Sequence, residues 1–193
     1  MLDLDSVNKN IEVKTKTGSF FVTEKDNYNY WSACVEFAKT PKSKQMASIM
    51  RMKAMQGFKS KETLTLKLAA GITDKLIIFA NTMDQADRMC RNSFHSGNKF
   101  SDENLELFKK GAIMRMSTVL QLIEGTNIPN LVQNIIMHAY GNERKAAQRI
   151  GRSLRLPIGM IATVHILCYR DTVDVKWVQD SLQKFNQSKI TVI

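Results

Sequence analysis

The sequence predicts an α/β fold: a mainly parallel sheet flanked by helices over residues 71–193, preceded by a β-hairpin and helical appendage over residues 1–70. Three observations predict it. Lys75-Leu-Ile-Ile-Phe-Ala80 is a short, continuous apolar run, as expected of a strand covered on both faces. From there on, strand-like runs alternate with helix-like segments, which implies right-handed crossovers and parallel pairing. The helices carry their own start and stop signals.

Taken in order, residues 11–24 alternate β-formers around Thr17-Gly18 and read as a hairpin or two short edge strands. Residues 28–40 and 43–56 read as helices. The second carries Met46, Ile49, Met50 and Met55 on one side, a stripe expected to fill core. After the 75–80 strand, Thr82 caps a helix, with Gln85 three residues on completing a capping box. Ser101 opens another helix, with Asp102 and Glu103 at its positive end and Gly111 as its stop. Strands are expected at Ile113–Ser117, Asn134–Ala139 and Ile161–Cys168. Helices are expected at about Glu143–Arg155 and Thr172–Phe185, the last packing Trp177, Val178, Leu182 and Phe185.

Composition narrows the function. The chain has 193 residues, with 28 Lys plus Arg against 18 Asp plus Glu, a formal charge of +10. That is enough chain for one sizeable core with an appendage. The excess charge points to an anionic partner. Its distribution is uneven: residues 141–170 hold Arg144, Lys145, Arg149, Arg152, Arg155 and Arg170 against Glu143 alone. Cys34, Cys90 and Cys168 are odd in number and widely spaced, and His95, His138 and His165 are isolated from one another. Neither a disulfide framework nor a metal site is expected. No apolar run is long enough to span a bilayer, and the acidic N-terminus is unlike a signal peptide, so a soluble, cytoplasmic protein without a membrane partner is expected.

In parallel sheets function collects just beyond the carboxyl ends of the strands, which directs attention to the loops after Phe79, Ser117 and Ala139. The stretch Asn142–Arg155 is the most informative. On a helix, Ala147, Ile150 and Leu154 form an apolar stripe, while Gln148, Arg152 and Arg155 form a separate polar one. Gly151 removes a side chain beside that polar face, at a cost of about 1 kcal/mol relative to Ala in a helix interior. Two guanidiniums one turn apart, beside a carboxamide, suit a polyphosphate, because each offers a planar fork of donors.

Gln148-Arg-Ile-Gly-Arg-Ser-Leu-Arg155 resembles the Q-x-x-G-R-x-x-R motif VI of superfamily-two helicases and translocases. Leu76–Asn81 resembles motif IV. Phe94-His-Ser-Gly97 resembles the short His/Gly turn after the next helix, and Ser117–Leu120 with Glu124–Pro129 resembles motif V. The resemblance covers roughly residues 71–170 and implies the second of two RecA-like, three-layer domains that close on ATP. It implies arginine fingers at Arg152 and Arg155, and a phosphate- or finger-positioning role for Gln148. It implies ribose-side contacts from Gly125 and Asn127, the latter standing where many members carry Asp. Contacts to a nucleic-acid backbone are implied for Asn81, His95, Ser96, Gly97, Ser117 and Thr118. The implied partners are nucleic acid, DNA favoured over RNA, and a phosphate-loop RecA-like domain in trans or lost by truncation. The implied cofactor is ATP with Mg2+, both held mainly by that first domain.

A complete motor needs a Gly-rich loop ending in Gly-Lys-Ser/Thr and an acidic strand-end motif for Mg2+. Gly97-Asn-Lys99 and Asp102-Glu-Asn104 have the wrong spacing for either. The chain alone is therefore expected not to hydrolyse ATP. The competing expectation is a non-enzymatic nucleic-acid- or protein-binding module that retains the same fold.

Overall fold

The computed structural model describes residues 1–119, 128–138, 161–183 and 185–193. It divides into two compact units, Asp3–Ser60 and Met1–Leu2 with Lys61–Ile193.

In the unit Asp3–Ser60, β1 (Ile11–Thr15) and β2 (Gly18–Val22) pair antiparallel from Ile11↔Val22 to Thr15↔Gly18. The helix expected from residue 28 starts earlier, as α1 (Glu24–Glu36), because Thr23 and Asp26 form a reciprocal capping box. It ends earlier too, since Thr40 and Ser43 cap α2 (Pro41–Gly57), with Pro41 opening the helix where its missing N–H costs nothing. Ala47, Met55 and Phe58 are buried, with Arg51 half-buried between them, so the inward face runs through positions spaced four apart. Met46 lies one residue off that face and is exposed, which corrects the expected Met46–Met55 stripe. Glu24 is fully buried; its carboxylate accepts from the Ser60 N–H (3.0 Å), the Ser60 hydroxyl (2.5 Å) and the Asp5 N–H (3.2 Å).

The second unit contains a five-stranded, all-parallel sheet. Its strands are β3 (Leu76–Ala80), β4 (Ser93–Phe94), β5 (Arg115–Val119), β6 (Gln133–Ile136) and β7 (Thr163–Ile166), in the order β4-β5-β3-β6-β7. β3 is central and buried at every residue. Around it lie α3 (Lys59–Gly71), α4 (Met83–Met89), α5 (Ser101–Lys110) and α6 (Val173–Leu182). The alternating side chains of β3 separate two cores. Ile77 and Phe79 join Leu105 and Phe108 of α5, with Leu182 of α6 packed against them. Leu76, Ile78 and Ala80 join Ala86 and Met89 of α4 and Ala69 of α3, with Leu64 and Leu68 packed against them. The sheet is thus covered on both faces, a three-layer arrangement.

Several boundaries differ from expectation. β5 begins two residues later than expected, since α5 ends at Gly111 in the left-handed region (φ 77°) and the chain must first place Ile113 against the core. β6 and β7 are shorter than the apolar runs that announced them, although Met137 N–H still bonds Phe79 O and Leu167 N–H still bonds Ile136 O. β4 is only two residues long, too short for any periodic signal. Lys61–Gly71 of α3 belong to the compact unit that contains the sheet, on which α3 packs its apolar residues. The helix expected over 143–155 lies outside the described residues.

Candidate nucleic-acid interface at the carboxyl edge of the sheet

The described part of the site is built where β3 and β4 end. Asn81 leaves β3 half-buried. Thr82 caps α4 by accepting the Gln85 N–H (3.2 Å), while the Gln85 carboxamide reaches back past Thr82 to the Asn81 N–H (2.9 Å). The expected capping box therefore closes one residue further upstream. Gln85 also donates to Glu62 (3.3 Å), which Arg88 holds by a charge-assisted pair of hydrogen bonds. The start of α4 is tied to α3 by side chains.

At the end of β4 the chain turns sharply, with Asn98 N–H bonded to His95 O at 3.0 Å. A turn of this kind leaves the N–H groups of its two central residues, Ser96 and Gly97, unbonded within the turn, and both residues are exposed. Asn98 fixes the turn from beneath: its amide donates to Ser93 O (3.0 Å) and Ser93 Oγ (2.9 Å), and its carbonyl oxygen accepts the Phe100 N–H (2.9 Å). The Ser101 hydroxyl donates to His95 O (2.6 Å) and accepts the His95 N–H (3.0 Å). Gly97 is packed so closely that a Cβ there would lie 3.2 Å from Met83 Sδ and 3.4 Å from His95 Nδ1.

His95 itself is buried. Its Nε2 lies 2.9 Å from Asp87 Oδ1 and 3.2 Å from Ser93 Oγ, and the Ser93 hydroxyl donates to the same carboxylate oxygen at 2.5 Å. Hydrogen bonds from Ser93 first, then His95, hold the Asp87 carboxyl below its ordinary value. This Ser–His–Asp grouping is not a nucleophilic triad, because the hydroxyl is spent on the carboxylate and Ser93 is inaccessible. It anchors the turn to α4. Sequence reasoning missed Asp87, Met83 and Asn98; of these only Asn98 carried a legible signal, an Asn poised for an Asx-type turn two residues ahead of Phe100.

Ser117 and Thr118 are placed differently from the surface position a backbone phosphate contact calls for. Both are fully buried, the Ser117 hydroxyl donating to Ala86 O (2.7 Å) and the Thr118 hydroxyl to Phe94 O (3.0 Å). They bind β5 to α4 and β4. Gly125, Asn127, Gln148, Arg152 and Arg155 lie outside the described residues, and so do the phosphate and ribose contacts expected of them. His138, just past β6, is buried; desolvation, then the nearby Lys61 charge, pushes its pKa well below the ordinary value. No helix among the described residues is long and apolar enough to cross a membrane.

No protein-family model and no curated protein matches the chain. Solved structures do. The C-terminal domain of the DEAD-box protein Dbp5 is 17% identical with a TM-score of 0.56, over 66% of this chain and 79% of that one. The E. coli DEAD-box protein SrmB, solved with the regulator RraA, is 14% identical with a TM-score of 0.53, over 65% and 79%. The C-terminal part of the Fun30 ATPase domain is 13% identical with a TM-score of 0.51, over 86% and 68%. At these identities the likeness is one of fold, and the chain has the fold of the C-terminal RecA-like domains of DEAD-box and other superfamily-two helicases.

Proposed function

We propose that this chain is the second RecA-like half of a nucleic-acid-dependent ATPase, a helicase or translocase. It supplies Arg152 and Arg155 as fingers to ATP and Mg2+ held mainly on a phosphate-loop domain, and grips a nucleic-acid backbone. Gln148 positions phosphates or fingers, and Gly125 and Asn127 lie toward the ribose. The observation that supports this reading most is the parallel sheet of helicase type, with its exposed, rigidly held Ser96–Gly97 turn at the carboxyl edge. Backbone N–H groups and a hydroxyl suit phosphate oxygens without reading sequence. A yeast Dbp5 structure that contains RNA and ADP BeF3 has the same fold, at 16% identity and a TM-score of 0.54, although this chain covers 36% of it.

Asn81, Ser96 and Gly97 are the contacts we assign to the track, with His95 beneath them. Ser117 and Thr118 make no contact with the track in this reading; their buried hydroxyls hold β5 to α4 and β4. DNA is the track we favour. The test of the fingers is Arg155→Ala, assayed with a phosphate-loop RecA-like domain supplied in trans. A loss of about 1,000-fold or more in ATP turnover is expected for a finger. An unchanged rate rejects the role.

A further inference from the structure

The hairpin of the Asp3–Ser60 unit is not used by the function proposed above. Its two faces differ. Ile11, Val13, Phe20 and Val22 share one face, with Val13 directly opposite Phe20 and Ile11 opposite Val22. Three of these four are half-buried, as expected of a packing face. The other face carries Glu12, Lys14, Ser19 and Phe21, and every one of them is exposed. Phe21 is 56% exposed, and the Lys14 side chain 82%. Glu12 sits directly opposite Phe21, and Lys14, opposite Ser19, is diagonal to it. Lys16 and Thr17 form the exposed tip beyond them.

An exposed aromatic with no apolar neighbour on its own face is a poor protein-docking surface, because protein interfaces want contiguous apolar area and are depleted in Lys. The same arrangement suits a nucleobase, which needs one π-face to stack on and cations beside it for the phosphates. Charge agrees. Lys14 and Lys16 outnumber Glu12 on the hairpin, and the unit as a whole carries ten Lys plus Arg against six Asp plus Glu. The Glu12–Lys14 contact, at 4.0 Å and open to solvent, leaves Lys14 free to exchange partners.

We propose that this face is a second binding site, for single-stranded nucleic acid. One base stacks on Phe21, and Lys14 and Lys16 contact the flanking phosphates. The site lies on the Asp3–Ser60 unit and does not require ATP.

The test uses the whole chain and a fluorescently labelled oligothymidylate, with affinity read by anisotropy across a salt series. Phe21→Ala is expected to weaken binding by about 5- to 150-fold, the range for losing one stacked base, with the salt slope kept. Phe21→Trp retains the affinity. Lys14→Ala with Lys16→Ala makes the slope of log affinity against log salt shallower by about 1.4, from two lost single-strand phosphate contacts. Glu12→Gln tightens binding. Each variant is checked by its melting temperature, and the Trp and Lys variants keep the test decisive even where Phe21→Ala disturbs the hairpin. Parent-like binding by Phe21→Ala and the Lys pair overturns the proposal, as does a parent chain that does not bind the strand. A Phe21→Ala chain that keeps its strand affinity but loses self-association in sedimentation also overturns it, and makes the face a protein contact. An Arg155→Ala chain without ATPase function still binds through the hairpin, so the two readings fail separately.

Discussion

Lys61 and Asp174 form a buried ion pair that joins the first turns of α3 and α6, with the Lys61 ammonium 4.6 Å from the centre of the Tyr169 ring. Asp174 also accepts the Tyr169 N–H (3.1 Å). Leu2 bonds the chain on either side of that tyrosine, through Cys168 O (3.0 Å) and the Arg170 N–H (2.8 Å). Leu2 and Lys61, far apart in sequence, are therefore both anchored around Tyr169 within the unit that contains the sheet.

Breaking this pair on one side leaves a buried charge uncompensated. Asp174→Ala is expected to lower stability by about 3–5 kcal/mol. Replacing both partners with apolar residues, Lys61→Met with Asp174→Leu, is expected to recover only part of that loss, because the buried Tyr169 N–H loses its acceptor. Urea denaturation of the single and double variants checks both statements.

The buried His138 sets an acid limit. Its pKa in the folded chain is depressed, so between that value and the ordinary 6.5 the unfolded chain binds a proton that the folded chain does not. Stability therefore falls as pH drops through 6.5 and levels off below the folded value. Asp87 acts in a different window: its depressed carboxyl contributes stability above the ordinary 3.8 that is lost as pH falls further. His138→Gln is expected to flatten the profile between pH 7 and 5 while leaving the more acidic limb in place. Melting temperature against pH reads it.

Gly97 is held against α4 by space rather than by backbone angle. In Gly97→Ala the new methyl meets Met83 Sδ, the flexible end of an exposed side chain, so the expected loss is below about 1 kcal/mol. Met83→Ala in the same chain relieves it, and a double-mutant cycle in thermal unfolding measures the coupling. A loss that Met83→Ala fails to relieve would assign the strain to His95 instead.

Asp87 holds the turn through His95 and Ser93. Asp87→Ala is expected to cost about 1 kcal/mol, modest because the carboxylate is half-exposed. Its larger effect is local: amide exchange across residues 93–101 accelerates while β3 stays protected. Equal protection of those amides in the variant would remove Asp87 from the site.

Much of this was legible from residue order. The apolar run at 75–80, the Thr82 cap and the Gly111 stop each rest on local chemistry, and each lies where that chemistry places it. Contacts between segments distant in sequence were not legible. Lys61 gives no sign in the sequence that it pairs with Asp174, 113 residues away, so nothing there ties residues 61–70 to the sheet. Nor does a two-residue strand such as β4 carry a period. At the site, Ser96 and Gly97 were legible as a turn only through the family resemblance of Phe94–Gly97, and their exposure was not. Ser117 and Thr118 show the opposite case: a hydroxyl in the sequence reads alike whether it faces a phosphate or the carbonyls of Ala86 and Phe94.

The central claim is that this chain completes an ATPase on another domain. Its most direct test is ATP turnover by the mixture of this chain with a phosphate-loop RecA-like domain supplied in trans, with single-stranded nucleic acid present. The expected result is turnover by the mixture well above that of either component alone. A mixture no faster than the phosphate-loop domain by itself would contradict the claim.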